Sequence, residues 1–254
     1  MTTSDPALAD AAERLRSLHR PGSPVVLPNV WDAASARIVA EAGFPAIATS
    51  SAAVARSLGF EDGGTAPAAE MFAAAARIAR AVNLPVTVDA ENGYGLSPAD
   101  LVRCLVEAGA VGCNLEDSTA GVLSDPEAHA ARLAAVREAA AAARVPLVIN
   151  ARVDVFIRNP QRPEAELVVD AVARANRYLA AGADCAYPIG RLAEGTVATL
   201  VPAIHGPVNV LWTPAGPPVA RLAALGAARV SAGGGLWQAA MDAFRSAVEG
   251  LRPR

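Results

Sequence analysis

The sequence predicts an α/β protein, a single (β/α)8 TIM barrel with an extra N-terminal helix. Short apolar segments of β type alternate along the chain with alanine-rich segments of helical periodicity, and the count of strands is eight. Several helical segments end on a glycine, and an apolar segment follows directly. This order is typical of a helix that is followed by a parallel strand. A length of 254 residues also suits one such barrel.

The predicted strands are short and apolar on both faces, as a sheet covered by helices requires. In order, they cover residues 25–31, 46–51, 86–91, 112–117, 147–154, 184–190, 208–213 and 228–233. The glycines that end helices are Gly43, Gly109, Gly182 and Gly226. An amphipathic segment over about residues 6–19 predicts the extra helix. Because no linker divides the chain, we expect residues 1–254 to form one domain, with an open doubly wound sheet as the alternative.

Composition excludes several classes of function. All 22 basic residues are arginine, so Schiff-base chemistry, lysine-bound pyridoxal phosphate and a P-loop lysine are excluded. A net charge of −3 with mixed signs offers no basic face for nucleic acid. No apolar stretch reaches the roughly 18 residues of a membrane span, and no signal peptide is evident. We therefore expect a cytoplasmic protein without a membrane or nucleic-acid partner.

Carboxylates gather where predicted strands end, which in a barrel is the rim of the active site. These residues are Asp62, Asp89, Glu91, Glu116 and Asp117. Residues two apart on a strand face the same side, so Asp89 and Glu91 are expected to meet. Such crowding is costly without a cation, and Mg²⁺ takes one or two carboxylates directly and keeps several waters. The alternative, acids that cap helices or stay solvated, explains Asp117 or Asp154 well, but it explains Asp89 and Glu91 together with Glu116 poorly.

Arg152 interrupts the otherwise apolar segment "PLVINARVDVF". A guanidinium in that setting needs an anionic partner, and its planar fork suits a carboxylate or a phosphonate. The sequence leaves two interpretations open. Arg152 pairs with a bound anion, or it forms a structural salt bridge to Glu116 or Asp154.

Several segments together resemble the isocitrate lyase/phosphoenolpyruvate mutase superfamily. They are "PNVWDAASARIVAEAGFPAIATSSAAVARSLGFEDGG", "ARIARAVNLPVTVDAENGYG", "GCNLED" and "VINARVD". The resemblance runs from about Pro28 to Asp154 and more loosely to the C-terminus. It implies a Mg²⁺-dependent barrel that breaks C–C or P–C bonds next to a pyruvate-like centre.

The resemblance also implies roles for individual acids. Asp89 resembles the direct Mg²⁺ ligand of the family, with Mn²⁺ as the alternative ion. Asp62, Glu91 and Glu116 resemble the acids that hold the ion through its waters. Asp62 and Glu116 are therefore also candidate catalytic residues.

The substrate side of the site follows from the same resemblance. Ser50, Ser51 and Ala52 occupy the small-residue loop that takes the substrate carboxylate through hydroxyl and backbone N–H groups, with Asp89 beside them. Arg152 resembles the arginine that neutralises the reacting substrate and is the remaining catalytic candidate.

Two departures from the family stand out. The lyases carry a Lys-Lys/Arg-Cys-Gly-His loop after the fourth strand, whereas this chain has "EDSTAGVLSDPEAHAARL", without cysteine or lysine. The longer asparagine- or threonine-bearing loop of the mutases and phosphonopyruvate hydrolases is missing too. At the end of the sixth strand, where lyases have glutamate and mutases histidine, this chain has Ile189. The residues that the resemblance assigns to the metal and the enolate are therefore present, whereas the residues that define each known reaction of the family are absent.

The resulting hypothesis is a Mg²⁺-dependent enzyme for a small α-keto or α-hydroxy (di)carboxylic acid. We expect C–C bond cleavage, of lyase or hydrolase type, through a metal-stabilised enolate. The alternatives are a phosphonopyruvate/phosphoenolpyruvate P–C bond enzyme and a non-catalytic keto-acid-binding barrel. Large apolar residues in "LWQAAMDAFRSAV" predict a helix with a wide buried stripe, and the resemblance implies that it packs on a neighbouring subunit of a homo-oligomer, a dimer or a tetramer.

Overall fold

A computed structural model describes residues 6–252 and shows an α/β protein with parallel sheets. Its helices are α1 Pro6–Ser17, α2 Ala33–Glu41, α3 Ser51–Leu58, α4 Ala68–Ala79, α5 Pro98–Glu107, α6 Pro126–Ala142, α7 Val155–Arg158, α8 Glu164–Ala180, α9 Glu194–Ala203, α10 Val219–Ala224 and α11 Gly235–Gly250. Its strands are β1 Val25–Leu27, β2 Asn29–Val30, β3 Ile47–Thr49, β4 Val86–Asp89, β5 Gly112–Glu116, β6 Ser118–Thr119, β7 Val122–Leu123, β8 Val148–Val153, β9 Cys185–Pro188, β10 Asn209–Leu211 and β11 Arg229–Ser231. Within residues 6–252, none of these helices is long and apolar enough to cross a membrane.

Two parallel sheets, connected by one bridge and by the chain itself, place nine of the described strands in one cyclic order. One sheet has the order β2-β3-β4-β5-β8-β9, and a second has the order β1-β11-β10. A parallel bridge between Ala186 and Val208 connects β9 to the residue that precedes β10. On the other side β1 continues into β2 through Pro28, whose missing N–H interrupts the strand. Every segment that we predicted to be a strand contains one, so the predicted alternation of strands and helices is confirmed.

One local element was not predicted. Strands β6 and β7 form a short antiparallel hairpin directly after β5, with Ser118 opposite Leu123 and Thr119 opposite Val122. Its two turn residues, Ala120 and Gly121, both have positive φ, 48° and 82°. Two consecutive left-handed residues are typical of the tight turn whose twist matches that of a hairpin.

The predicted N-terminal helix is present as α1, and a partly buried ion cluster connects it to the sheet. Arg16 Nε lies 2.8 Å from Asp184 Oδ1, and Arg137 pairs with the other oxygen of the same carboxylate. Leu15 on α1 is fully buried. These contacts lie before β8 and β9 begin, at the end of the strands opposite to the predicted site.

Strand register places the predicted site residues next to one another. Asp89, the last residue of β4, pairs with Asn114 of β5. Glu116, the last residue of β5, pairs with Arg152 of β8, which in turn pairs with Tyr187 of β9. The acids and Arg152 therefore lie at the carboxyl ends of consecutive parallel strands, where ligands bind in α/β folds.

Candidate active site

The turn after β4 holds the acid pair in an unusual backbone conformation. Glu91 and Tyr94 have positive φ values of 48° and 53°, and the glycines beside Tyr94 are also left-handed. A residue with a side chain costs about 1–2 kcal/mol in that region. The predicted strand over 86–91 ends at Asp89, so Glu91 approaches Asp89 through this strained turn and not through strand alternation. Strain of this kind is typical of functional sites.

Asp89 is held firmly through one carboxylate oxygen. Its Oδ2 accepts hydrogen bonds from the Ser51 backbone N–H at 3.1 Å and from the Ser51 hydroxyl at 2.8 Å. Its own backbone N–H donates to Thr49 Oγ1 at 2.9 Å. The other oxygen, Oδ1, is buried, and no group within residues 6–252 forms a hydrogen bond with it. A buried carboxylate oxygen without a donor is costly unless a cation lies beside it.

Glu91 is the second acid with an unsatisfied oxygen. It is only 4% exposed, and its Oε1 likewise has no hydrogen-bond partner among the described residues. Burial, followed by the charges of Asp89 and Asp62, raises the pKa of Glu91 to about 7. The backbone N–H of Gly64 partly offsets this by donating to the carboxylate. The charge of Arg152 also opposes the rise in pKa, so burial and the neighbouring acids together outweigh the positive charge that reaches Glu91.

Asp62 lies on an exposed turn after α3. Its negative charge acts on Glu91 and contributes to the raised pKa of that residue. Gly64, two residues later, lies against the Glu91 carboxylate. The structure thus brings the loop of Asp62 to the site but leaves the Asp62 side chain in solvent.

Glu116, Arg152 and Asp154 form a buried charge cluster. Arg152 Nη1 lies 2.6 Å from Glu116 Oε2. Arg152 Nε and Nη2 donate to the two oxygens of Asp154 at 2.7 Å and 3.0 Å. Both salt bridges that we considered for Arg152 are therefore present. Burial raises the pKa of Glu116, and the contact with Arg152 opposes that rise.

Two polar residues beside this cluster were not identified from the sequence. Ser118 donates its hydroxyl to Asp154 Oδ2 at 2.6 Å. Arg158, the last residue of α7, donates from Nε to Ser118 Oγ at 3.1 Å and lies 4.0 Å from Glu116. Asp117, in contrast, is fully buried beneath the site, where it accepts hydrogen bonds from Tyr178 and Arg174. Asp117 thus has the structural role that the sequence left open for it.

The predicted carboxylate loop forms the start of α3. Ser50 is the N-cap and accepts a hydrogen bond from the Ala53 N–H at 3.4 Å. Ser51 directs its donors to Asp89, while Ala52 is half-buried at the second helical position. The first N–H groups of a helix have no intrahelical acceptor and favour anions. The N–H of Ala52 therefore lies one residue beyond the Ser51 N–H that contacts Asp89, in the first turn of the helix.

The donor set fits a hard cation that keeps waters. Asp89 Oδ1 and Glu91 Oε1 are buried oxygens that need a positive partner. The described part of the chain contains no group of three His, Cys, Asp or Glu side chains close enough to enclose a metal. Mg²⁺ does not need such a cage, because it binds through one or two carboxylates and several waters. Asp89 would be the direct ligand, with Glu91 and Glu116 reaching the ion through water.

The fold and the site together define the class of this protein: parallel α/β, with an acidic, arginine-lined site at the carboxyl ends of the strands. The chain belongs to the phosphoenolpyruvate phosphomutase family, whose model matches residues 15–252. The resemblance to the isocitrate lyase/phosphoenolpyruvate mutase superfamily is therefore confirmed. Members of this superfamily are enzymes, lyases and mutases among them.

Three similar proteins illustrate the range of that superfamily. An uncharacterized protein of Mycobacterium tuberculosis (strain H37Rv) is 37% identical, with 92% of this chain and 87% of that protein covered. The crystal structure of a protein from Burkholderia cenocepacia J2315, assigned provisionally as a phosphonomutase, is 44% identical with a TM-score of 0.90, covering 95% and 99% of the two chains. The crystal structure of 2,3-dimethylmalate lyase, a member of the superfamily, is 27% identical in sequence with a TM-score of 0.84. The match covers 95% of this chain and 87% of that chain.

Proposed function

We propose that this protein is a Mg²⁺-dependent enzyme that cleaves a C–C bond in a small α-keto or α-hydroxy (di)carboxylic acid. The observation that carries the proposal is the pair of buried, unpartnered oxygens, Asp89 Oδ1 and Glu91 Oε1, beside the Arg152 cluster. The scaffold would be one closed (β/α)8 barrel over residues 1–254, which the cyclic order of strand pairing supports.

Different residues would bind the ion and the substrate. Ser51 holds the Asp89 carboxylate through Oδ2, which leaves Oδ1 without a donor and available to hold the ion. The N–H of Ala52 would bind the carboxylate next to the reacting carbon. Arg152, held by Glu116 and Asp154, still has N–H groups on Nη1 and Nη2 to stabilise developing negative charge. A bound Mg²⁺ supplies Lewis-acid stabilisation of charge on the substrate oxygen.

Asp62 and Glu116 would hold or move protons at the edge of this site. Burial raises the pKa of Glu116 and Arg152, 2.6 Å away, opposes that rise, so Glu116 is placed to exchange a proton with a bound ligand. Asp62 lies in solvent on a loop that contacts the Glu91 carboxylate through Gly64.

A second candidate is P–C bond chemistry on phosphonopyruvate or phosphoenolpyruvate. The family model and the provisional assignment of the Burkholderia protein favour it. The third, a keto-acid-binding barrel without catalysis, is favoured by the short β6–β7 hairpin, which stands where catalytic loops of the family are longer.

Turnover of a panel of substrates distinguishes the three candidate functions. The protein is incubated with Mg²⁺ and oxaloacetate, methylisocitrate-type acids or phosphonopyruvate, with an EDTA control. C–C cleavage products from a carboxylic acid support the proposal. Inorganic phosphate from phosphonopyruvate supports the second candidate, and calorimetric binding without turnover of any compound supports the third.

We also propose that the protein is a homo-oligomer packed through α11. No residue of this helix is buried, although Phe244 and Val248 are large, apolar and 65% and 45% exposed. Next to the helix lies an apolar groove of 340 Å³, lined by Val39, Phe44, Trp212, Val219 and Leu236 among others. A helix with apolar residues and no buried face is expected to bury one against a partner, here a second copy of the chain. The cytoplasmic location and the absence of a nucleic-acid partner stay predictions.

A further inference from the structure

Arg158 differs from Arg152 in how its guanidinium is used. Arg152 is 12% exposed and in close contact with two acids, at 2.6 Å and 2.7 Å. Arg158 is 29% exposed and lies farther from the same acids, 3.4 Å from Asp154 and 4.0 Å from Glu116. Among the described residues, its guanidinium forms one hydrogen bond, from Nε to Ser118. Within residues 6–252, Nη1 and Nη2 of Arg158 form no hydrogen bond, and Nη2 has only the 4.0 Å contact with Glu116 Oε1.

The neighbours of Arg158 hold this guanidinium in place. The Ser118 hydroxyl accepts from Arg158 Nε and donates to Asp154 Oδ2, so it links the arginine to a fully buried carboxylate. Ser118 begins the β6–β7 hairpin, and Thr119 of that hairpin accepts a hydrogen bond from Asn92 Nδ2 at 3.2 Å. The hairpin is thus tied to the turn that carries Glu91. A guanidinium fixed at Nε presents its two Nη groups in a defined plane.

Arg158 also lies on the active-site side of the fold. Helix α7 directly follows β8, so Arg158 follows the carboxyl end of the strand that carries Arg152. Glu116 lies between the two arginines, with Arg152 at 2.6 Å and Arg158 at 4.0 Å. An anion that reaches Asp89 and Arg152 therefore has a second cationic group within a short distance.

We propose that Arg158 is a specificity-determining residue that binds the second carboxylate of a dicarboxylic acid through Nη1 and Nη2. The inference rests on the proposed function and deepens it, because it selects dicarboxylates among small keto and hydroxy acids. A planar fork binds a carboxylate through two parallel hydrogen bonds, which an ammonium cannot reproduce. The first carboxylate then remains with Ala52 and the bound ion near Asp89.

The test compares two acids that differ only in the distal group. Malate carries a carboxylate where 2-hydroxybutyrate carries a methyl group on the same four-carbon chain. Binding of each is measured by calorimetry with excess Mg²⁺ for the wild type, Arg158→Met, Arg158→Lys and the control Arg162→Met. Arg162 is a suitable control because it pairs with acids of α8, Glu166 and Asp170, and is 36% exposed.

We expect the wild type to bind malate at least about tenfold more tightly than 2-hydroxybutyrate, the range of a charge-assisted contact. Arg158→Met should abolish this preference and leave 2-hydroxybutyrate unchanged. Arg158→Lys should keep only part of the preference, and Arg162→Met should keep all of it. Melting temperatures of the variants show that each one is folded.

Three results would overturn the inference. A malate preference that persists in Arg158→Met means that another group binds the distal carboxylate. An equal loss for both acids in a folded Arg158→Met means that Arg158 acts through the structure of the site. Absence of Mg²⁺-dependent binding of either acid to the wild type contradicts the proposed function, and the inference with it.

Discussion

Replacement of Arg152 by methionine tests the buried charge cluster. The substitution keeps an unbranched apolar stem and removes the guanidinium that contacts Asp154 at 2.7 Å and Glu116 at 2.6 Å. Asp154 is fully buried and Glu116 is 8% exposed, so two acids lose their principal cation. Breaking a buried pair in this way costs about 3–5 kcal/mol.

Residual contacts reduce that cost. Ser118 still donates to Asp154 at 2.6 Å, and Arg158 remains 3.4 Å from the same carboxylate. We therefore expect the lower end of the range, about 3 kcal/mol of unfolding free energy. For a chain of this length that corresponds to a fall in melting temperature of roughly 6–12 °C.

The assay is urea unfolding followed by circular dichroism, with Arg103→Met as the matched control. Arg103 also contacts two acids, Asp100 and Glu107, but all three side chains are more than half exposed. Exposed pairs of this kind contribute little, so the control should unfold at the wild-type midpoint. An Arg152→Met protein with the wild-type midpoint would refute the reasoning, and lost keto-acid binding in that protein would assign Arg152 to the ligand alone.

Three further predictions concern the ion and the assembly. Asp89→Ala should abolish Mg²⁺-dependent binding of keto acids in calorimetry while the melting temperature stays close to that of the wild type; unchanged binding would remove Asp89 as the ligand. The ion-free protein should lose stability as pH rises from about 4.5 to about 7, because folded Glu91 keeps a proton that the unfolded chain releases. Mg²⁺ should displace that proton and restore the lost stability. A pH-independent effect of Mg²⁺ on the melting temperature would contradict this. Phe244→Asp should lower the mass seen by light scattering, since it places a charge in the proposed interface, whereas Asp242→Asn on the same helix should not; an unchanged mass for Phe244→Asp would place the interface elsewhere.

The fold was predictable because its signal is repeated. Each strand segment is a short apolar run, and helix-ending glycines such as Gly43 and Gly109 adopt the positive φ that makes them helix stops. Even the break at Pro28 follows from a residue that cannot donate a backbone hydrogen bond. The β6–β7 hairpin was missed because its strands have two residues each, too few for any periodicity.

The site was only partly predictable, because charge alone does not show which contacts form. Asp89 and Glu116 stand at strand ends, where their positions follow from the strand pattern. Glu91 reaches the site through a left-handed turn that strand alternation does not predict. Arg158 follows the strand in a short helix, and only the folded chain shows that it lies beside Ser118 and Glu116. The signal that could have found it is a second arginine six residues after Arg152, on the active-site side of the same strand.

A crystal structure of the protein with Mn²⁺ in place of Mg²⁺ tests the central claim most directly. The anomalous signal of Mn²⁺ locates the ion without any assumption about its ligands. We predict one peak at about 2 Å from Asp89 Oδ1, the distance of a direct ligand, with Glu91 and Glu116 linked to the ion through water. A site without a peak at saturating Mn²⁺, or an ion bound away from Asp89, would contradict the account.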